Sequence, residues 1–155
     1  MKTERGFTIV ELLVYMGLFA IILIPLMQFF GSIIDVRLES EATSAVAQDG
    51  LYILTRLSND IHSASSVISP ALGTSNNILH ISGNSDNTYQ QIGQNLELNG
   101  ARLNSEGTTV SNLNFKTVGQ SGGKVQVQIT FTLTSKAVKR GNAQVKNFTT
   151  TIGIR

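Results

Sequence analysis

With 155 residues the chain has the length of one ordinary domain, enough to bury a core without help from disulfides or metals. Charged residues make up 14% and the net charge is only +2 at pH 7, so the overall balance demands no acidic partner. The absence of cysteine excludes disulfide frameworks, thiolate nucleophiles and thiolate metal sites, and thiol redox chemistry with them.

The chain opens on a short polar stretch containing Lys2, Glu4 and Arg5 and then becomes almost continuously apolar from Phe7 to Phe30, with no charged side chain between Leu12 and Met27. As a helix rising ~1.5 Å per residue, those roughly 24 residues span a ~30 Å hydrocarbon core. Basic residues precede the run and Asp35, Glu39 and Glu41 follow it with Arg37, which predicts a cytoplasmic N-terminus and a C-terminal domain facing outward. A secretory signal peptide would end in a small-x-small cleavage site, but this run ends in Gln28-Phe29-Phe30-Gly31. A plain membrane anchor leaves Glu11 unexplained, because an ionisable group inside a spanning segment costs about 2.5 to 3.5 kcal/mol at mid-membrane and usually has a functional partner.

The string Arg5-Gly6-Phe7-Thr8-Ile9-Val10-Glu11, followed by Leu12, Leu13 and Val14, resembles the processing site of type IV prepilins and pseudopilins. The resemblance implies that a prepilin peptidase cuts after Gly6 and methylates the new terminal residue Phe7. Residues 1–6 would then be a leader, and Glu11 the fifth residue of the mature chain. It further implies a structural subunit of a pilus or a secretion-type pseudopilus, held in membrane lipid before an inner-membrane assembly platform adds it to other subunits. The residues suit these roles. Gly6 presents no side chain to a peptidase at the membrane face, and Glu11 lies one helical turn beyond Phe7, where a carboxylate favours the positive end of the helix dipole and meets an N-terminal ammonium from its own or a neighbouring chain.

Gly17 weakens a helix and Pro25 cannot donate to the carbonyl of Ile21, so the stretch between them is the place for a helix break. Related filaments often lose helix here on assembly. Farther on, Ala42, Val46, Ile53, Leu57, Ile61 and Ala64 recur at helical spacing with Asp49, Arg56, Asn59 and Asp60 between them. One helix over 7–64 is predicted, its first part (7–30) for membrane and assembly and its amphipathic second part for docking on a sheet.

Residues 65–155 read as a C-terminal domain of antiparallel β-structure, punctuated by Gly, Asn and Ser. Strands are expected at Ile78 to Ser82, Leu96 to Leu98, Leu113 to Val118, Lys124 to Thr134 and Val145 to Ile154. Val125, Val127, Ile129, Phe131 and Leu133 alternate with polar residues, and Phe148, Ile152 and Ile154 share a phase. Asn99-Gly100 is a two-residue hairpin turn and Gln120 to Gly123 another reversal. The fold class is therefore α+β and pilin-like, a long N-terminal helix packed on an antiparallel sheet. The pattern around Leu57 to Ile61 and Leu113-Asn114-Phe115 is similar to J-type minor pseudopilins and W-type minor pilins. Lacking cysteine, the chain cannot form the disulfide-bounded loop of many major pilins, which favours a minor or pseudopilin role.

No catalytic constellation is legible, and no cofactor or metal is expected. His62 and His80 fall on different predicted elements, and Ser82 to Asn87, with Asp86 as its single carboxylate, reads as a solvated turn rather than a calcium loop. Lys136, Lys139, Arg140 and Lys146 surround the last reversal. Some pilins of DNA-uptake systems bind DNA through basic tips, yet here no outward aromatic stands ready to stack on bases. Two readings remain, a filament subunit and a membrane-anchored extracytoplasmic binding module that does not polymerise.

Overall fold

The computed structural model describes residues 8–83, 85–120, 123–139 and 141–154. Helix α1 occupies Ile9–Ser63, 55 residues long. It is uninterrupted at Gly17 and Pro25. Its predicted first residue, Phe7, lies outside the described residues. The predicted last residue, Ala64, instead opens strand β1 (Ala64–Ser69) and pairs with Gly83. Ser63 closes the helix by donating its hydroxyl to the Asp60 carbonyl at 3.0 Å, after which two serines and the β-branched pair Val67-Ile68 favour extended backbone.

The chain divides into two units, one ending at Arg37 and the other running Leu38–Arg155. Within the first, the apolar side chains from Ile9 to Phe30 are exposed apart from the half-buried Leu23. This is the one helix long and apolar enough to cross a membrane among the described residues.

The second unit holds the amphipathic part of α1 and two antiparallel sheets where one was expected. Five strands follow the order β1, β3 (Ile78–Gly83), β4 (Asn87–Ile92), β5 (Asn95–Leu98) and β6 (Ala101–Arg102). The other four follow the order β2 (Ser75–Asn76), β7 (Thr108–Val118), β8 (Gln126–Lys139) and β9 (Asn142–Gly153). The division arises just after β1. There the Gly73 amide donates to the Thr117 carbonyl at 2.8 Å and the Thr117 hydroxyl donates to the Pro70 carbonyl at 2.9 Å, carrying the chain across to β7. The Asn99-Gly100 turn joins β5 to β6 with positive φ at both residues, 51° and 82°, as a two-residue hairpin of the favoured twist requires.

Helical periodicity and strand alternation meet in one core. Ala42, Val46, Gly50, Ile53, Leu57 and Ile61 form the buried stripe of α1. Val127, Ile129, Phe131 and Leu133 supply the buried face of β8, joined by Leu79, Ile81, Tyr89 and Leu96 from the five-stranded sheet. Gly50 is a point of close approach: a Cβ there would sit 2.2 Å from Cζ of Phe148. Phe148 is itself half-buried and stacked on Phe131, with ring centroids 5.0 Å apart, consistent with the inward phase predicted for it.

Two aspartates eleven residues apart flank this stripe and tie the helix to loops and strands. Asp49 accepts from the Ser105 amide at 2.9 Å, from the Ser105 hydroxyl at 2.8 Å and from the Thr108 hydroxyl. Asp60 accepts from Arg56 at 3.1 Å, Asn87 at 3.0 Å and the Tyr89 phenol at 2.6 Å. Burial, and then the hydrogen bond to Asp60, hold the Tyr89 phenol above its ordinary range. Each carboxylate thus has several donors, the condition under which partly buried charge is tolerated.

Candidate functional site

The start of α1 carries the groups that set this chain apart from an ordinary anchor. Thr8 stands immediately before the helix, and its Oγ1 accepts the backbone N–H of Glu11 at 3.3 Å while its carbonyl accepts the N–H of Leu12 at 3.1 Å. Thr8 is therefore the N-cap, and it satisfies donors that the first helical turn leaves without intrahelical acceptors. Glu11 sits three residues on, in the first turn, where the helix dipole favours a carboxylate. One turn later the Tyr15 hydroxyl donates to Glu11 Oε1 at 3.3 Å. A capped terminus, a carboxylate and a phenol therefore occupy one end of an otherwise apolar helix. Glu11 is exposed, and it is the only Asp, Glu, Lys or Arg from Ile9 to Ile34.

The predicted cleavage residues Gly6 and Phe7 lie outside the described residues. Gly17 and Pro25 are in the helix interior, and a Cβ on Gly17 would meet nothing within 4 Å. Two further side chains contact Glu11 that residue type alone does not single out, Thr8 and Tyr15. A signal for the first was present, since Thr8-x-x-Glu11 before an apolar run is the spacing of a capping box. The second follows from i,i+4 geometry, which sets Tyr15 above Glu11 on the same helix face.

The remaining sites from the sequence do not converge. His62 is exposed in the last turn of α1 and His80 is half-buried in β3. No group of three His, Asp or Glu able to hold a metal stands together among the described residues. In the Ser82 to Asn87 turn the Ser82 hydroxyl donates to Asp86 at 2.6 Å, so the carboxylate is engaged locally. Near the last reversal the Lys146 ammonium lies over the Phe148 ring, 5.3 Å from its centroid. An open cleft of about 560 Å³ lies beside β1, lined among others by Ser65, Val67, Leu72, Thr117 and Lys124. Lys124 is the single ionisable group of its described lining, so the cleft brings no acid-base pair together.

Comparison with known proteins agrees with the terminal site. A family model described as the prokaryotic N-terminal methylation motif matches residues 1–27. That is the type IV pilin-like signal, a structural motif and the mark of a prepilin peptidase substrate that assembles with other pilin subunits. No curated protein and no solved structure matched the chain. Motif and long apolar helix together fit a membrane-anchored pilin, and the α+β layout of helix and antiparallel sheets is pilin-like.

Proposed function

We propose, for a chain that carries the type IV pilin-like signal on a pilin-like layout, that it is a minor structural subunit of a type IV pilus or a secretion-type pseudopilus. Cleavage between Gly6 and Phe7 removes the leader and creates an ammonium on Phe7, which methylation leaves charged. The protein waits in the cytoplasmic membrane as a single-pass chain, N-terminus inside and β-domain outside, until the assembly platform draws it into the filament. Glu11 then pairs with the Phe7 ammonium of an adjacent subunit. The stretch between Gly17 and Pro25, where Pro25 leaves the Ile21 carbonyl without its helical donor, is where the helix opens on assembly.

The observation that carries this reading is the placement of Glu11: one carboxylate, in the first helical turn, on a helix whose apolar side chains are exposed through Phe30 apart from the half-buried Leu23. Within a bilayer such a charge is unfavourable until it meets a cation, and the motif supplies one four residues earlier. The absence of cysteine favours a minor subunit over a major one, since it excludes a disulfide-bounded C-terminal loop.

The test is Glu11→Ala in cells that express the companion subunits, with membrane-bound and filament-bound fractions compared. The variant is expected to insert and be trimmed, because losing a carboxylate lowers the cost of burial. It should assemble poorly, because deleting one partner of a buried pair costs about 3 to 5 kcal/mol. Incorporation equal to wild type would refute the pairing.

A further inference from the structure

Sheet edges are templates for other chains, and folded proteins blunt them with short strands, bulges, proline or charge. Three of the four edges here are managed in that way. Strands β2 and β6 are two residues long each. Strand β1 has register shifts on both sides of Ser66-Val67 and runs into Pro70. The fourth edge, β9, is twelve residues long, contains no proline, and pairs with β8 in unbroken register from Val145 to Gly153.

Its bonding pattern can be read along the strand. The Ile154 amide donates to the Val125 carbonyl at 3.0 Å. Antiparallel pairs alternate between bonded and non-bonded, so Ile152, Thr150, Phe148 and Lys146 turn N–H and C=O toward β8. Val145, Asn147, Thr149 and Thr151 then turn theirs outward, with exposed side chains. Lys146 is the only charge on the strand, and its ammonium lies over Phe148. From Asn147 to Gly153 nothing charged guards the edge.

The chemistry of the occupant follows from the charge distribution. From Gly107 to Arg155 the sequence has seven Lys and Arg and no Asp or Glu, and all ten acidic residues come earlier. Strands β7, β8 and β9 of the sheet that ends in β9 therefore come from an acid-free segment, and the two-residue β2 adds no acid to it. Pairing β9 with β9 of a second copy would bring two such basic sheets together, and like charges at an interface are unfavourable. A nucleic acid would suit the sign, but the strand's one aromatic, Phe148, is stacked inward on Phe131, which removes the platform that single strands use.

We infer that the β9 edge is a docking site for an extended, acidic segment of a different polypeptide, which adds to the four-stranded sheet as a further strand. Main-chain bonds to Val145, Asn147, Thr149 and Thr151 would supply affinity, and carboxylates beside Lys146 would select the partner. The inference goes beyond the filament reading, and its test does not depend on trimming or assembly.

The probe is a short synthetic peptide alternating Thr and Val with a glutamate near each end, added to the full chain in detergent and followed by amide hydrogen exchange. Amides of Asn147, Thr149 and Thr151 should exchange about tenfold more slowly with peptide near ten times its Kd, and a lysine-ended peptide should protect them far less. Thr149→Pro removes an outward N–H without touching the β8 ladder, so it should abolish protection while unfolding at the wild-type temperature. Thr149→Ala should retain protection. Absence of protection by the acidic peptide, equal protection by the lysine-ended one, or undiminished protection in a folded Thr149→Pro variant would overturn the proposal. So would tighter binding of oligo-dT in competition with the peptide, which would make the basic sheet a nucleic-acid surface.

Discussion

Gly50→Ala should reverse the sign of its effect according to what stands at position 148. In the interior of a helix, alanine is favoured over glycine by about 1 kcal/mol. At this position, however, the added methyl would meet Cζ of Phe148 at 2.2 Å and Cε1 at 2.5 Å. The ring cannot simply recede, because it is stacked on Phe131. Overpacking of that kind costs about 1 to 3 kcal/mol, so the net change in the wild-type background is a loss of about 0 to 2 kcal/mol. With Phe148→Ala the obstacle is gone and Gly50→Ala should stabilise by up to about 1 kcal/mol, a coupling of about 1 to 3 kcal/mol. Urea unfolding of the Leu38–Arg155 fragment, followed by circular dichroism for the four members of the cycle, measures it. A coupling below about 0.5 kcal/mol, the ordinary limit of additivity, would refute the docking of α1 on β9 through this contact.

The fragment itself is a prediction: the buried core of the described residues begins at Ala42, so it should be soluble, cooperative in unfolding and rich in β-structure, and failure on all three counts would show that the core needs residues before Leu38. Tyr89 predicts an alkaline weakness. Its folded pKa lies above the unfolded value of 10.0, so its contribution is fully present below about pH 10 and is lost as pH rises beyond that, by up to about 1.4 kcal/mol per pH unit. Lysines titrate in the same range in every variant, so the check is the difference between wild type and Tyr89→Phe in urea midpoint at pH 8 and pH 11. Parallel profiles would contradict the buried phenol.

How much could be read beforehand depended on how cleanly each segment showed a single period. The stripe Ala42, Val46, Ile53, Leu57 and Ile61 is buried on α1 as its spacing predicts, whereas Ala64 is buried from strand β1; Val127, Ile129, Phe131 and Leu133 are buried as their alternation predicts. Strand β7 was recognised only from Leu113, because a bulge beside Asn112, at φ 53°, shifts the phase so that Val110 and Leu113 point inward three residues apart. Strand β4 has no legible strand pattern, because Asn87-Thr88-Tyr89-Gln90-Gln91-Ile92 buries only Tyr89. Its partners, supplied by the rest of the fold, make it a strand. Strand β1 is illegible for a related reason, being rich in serine and following a helix without a turn residue. At the terminal site Glu11 was conspicuous as a lone charge, whereas Thr8 matters through a backbone bond that residue type alone only suggests.

The most direct test of the central claim is the mass of the N-terminal peptide of the protein recovered from its own membrane. The expected result is a chain beginning at Phe7 with one added methyl group, and for Gly6→Val, whose β-branched side chain crowds the scissile bond, the untrimmed precursor. A wild-type chain that retains Met1 to Gly6, or trimming that proceeds normally in Gly6→Val, would contradict it.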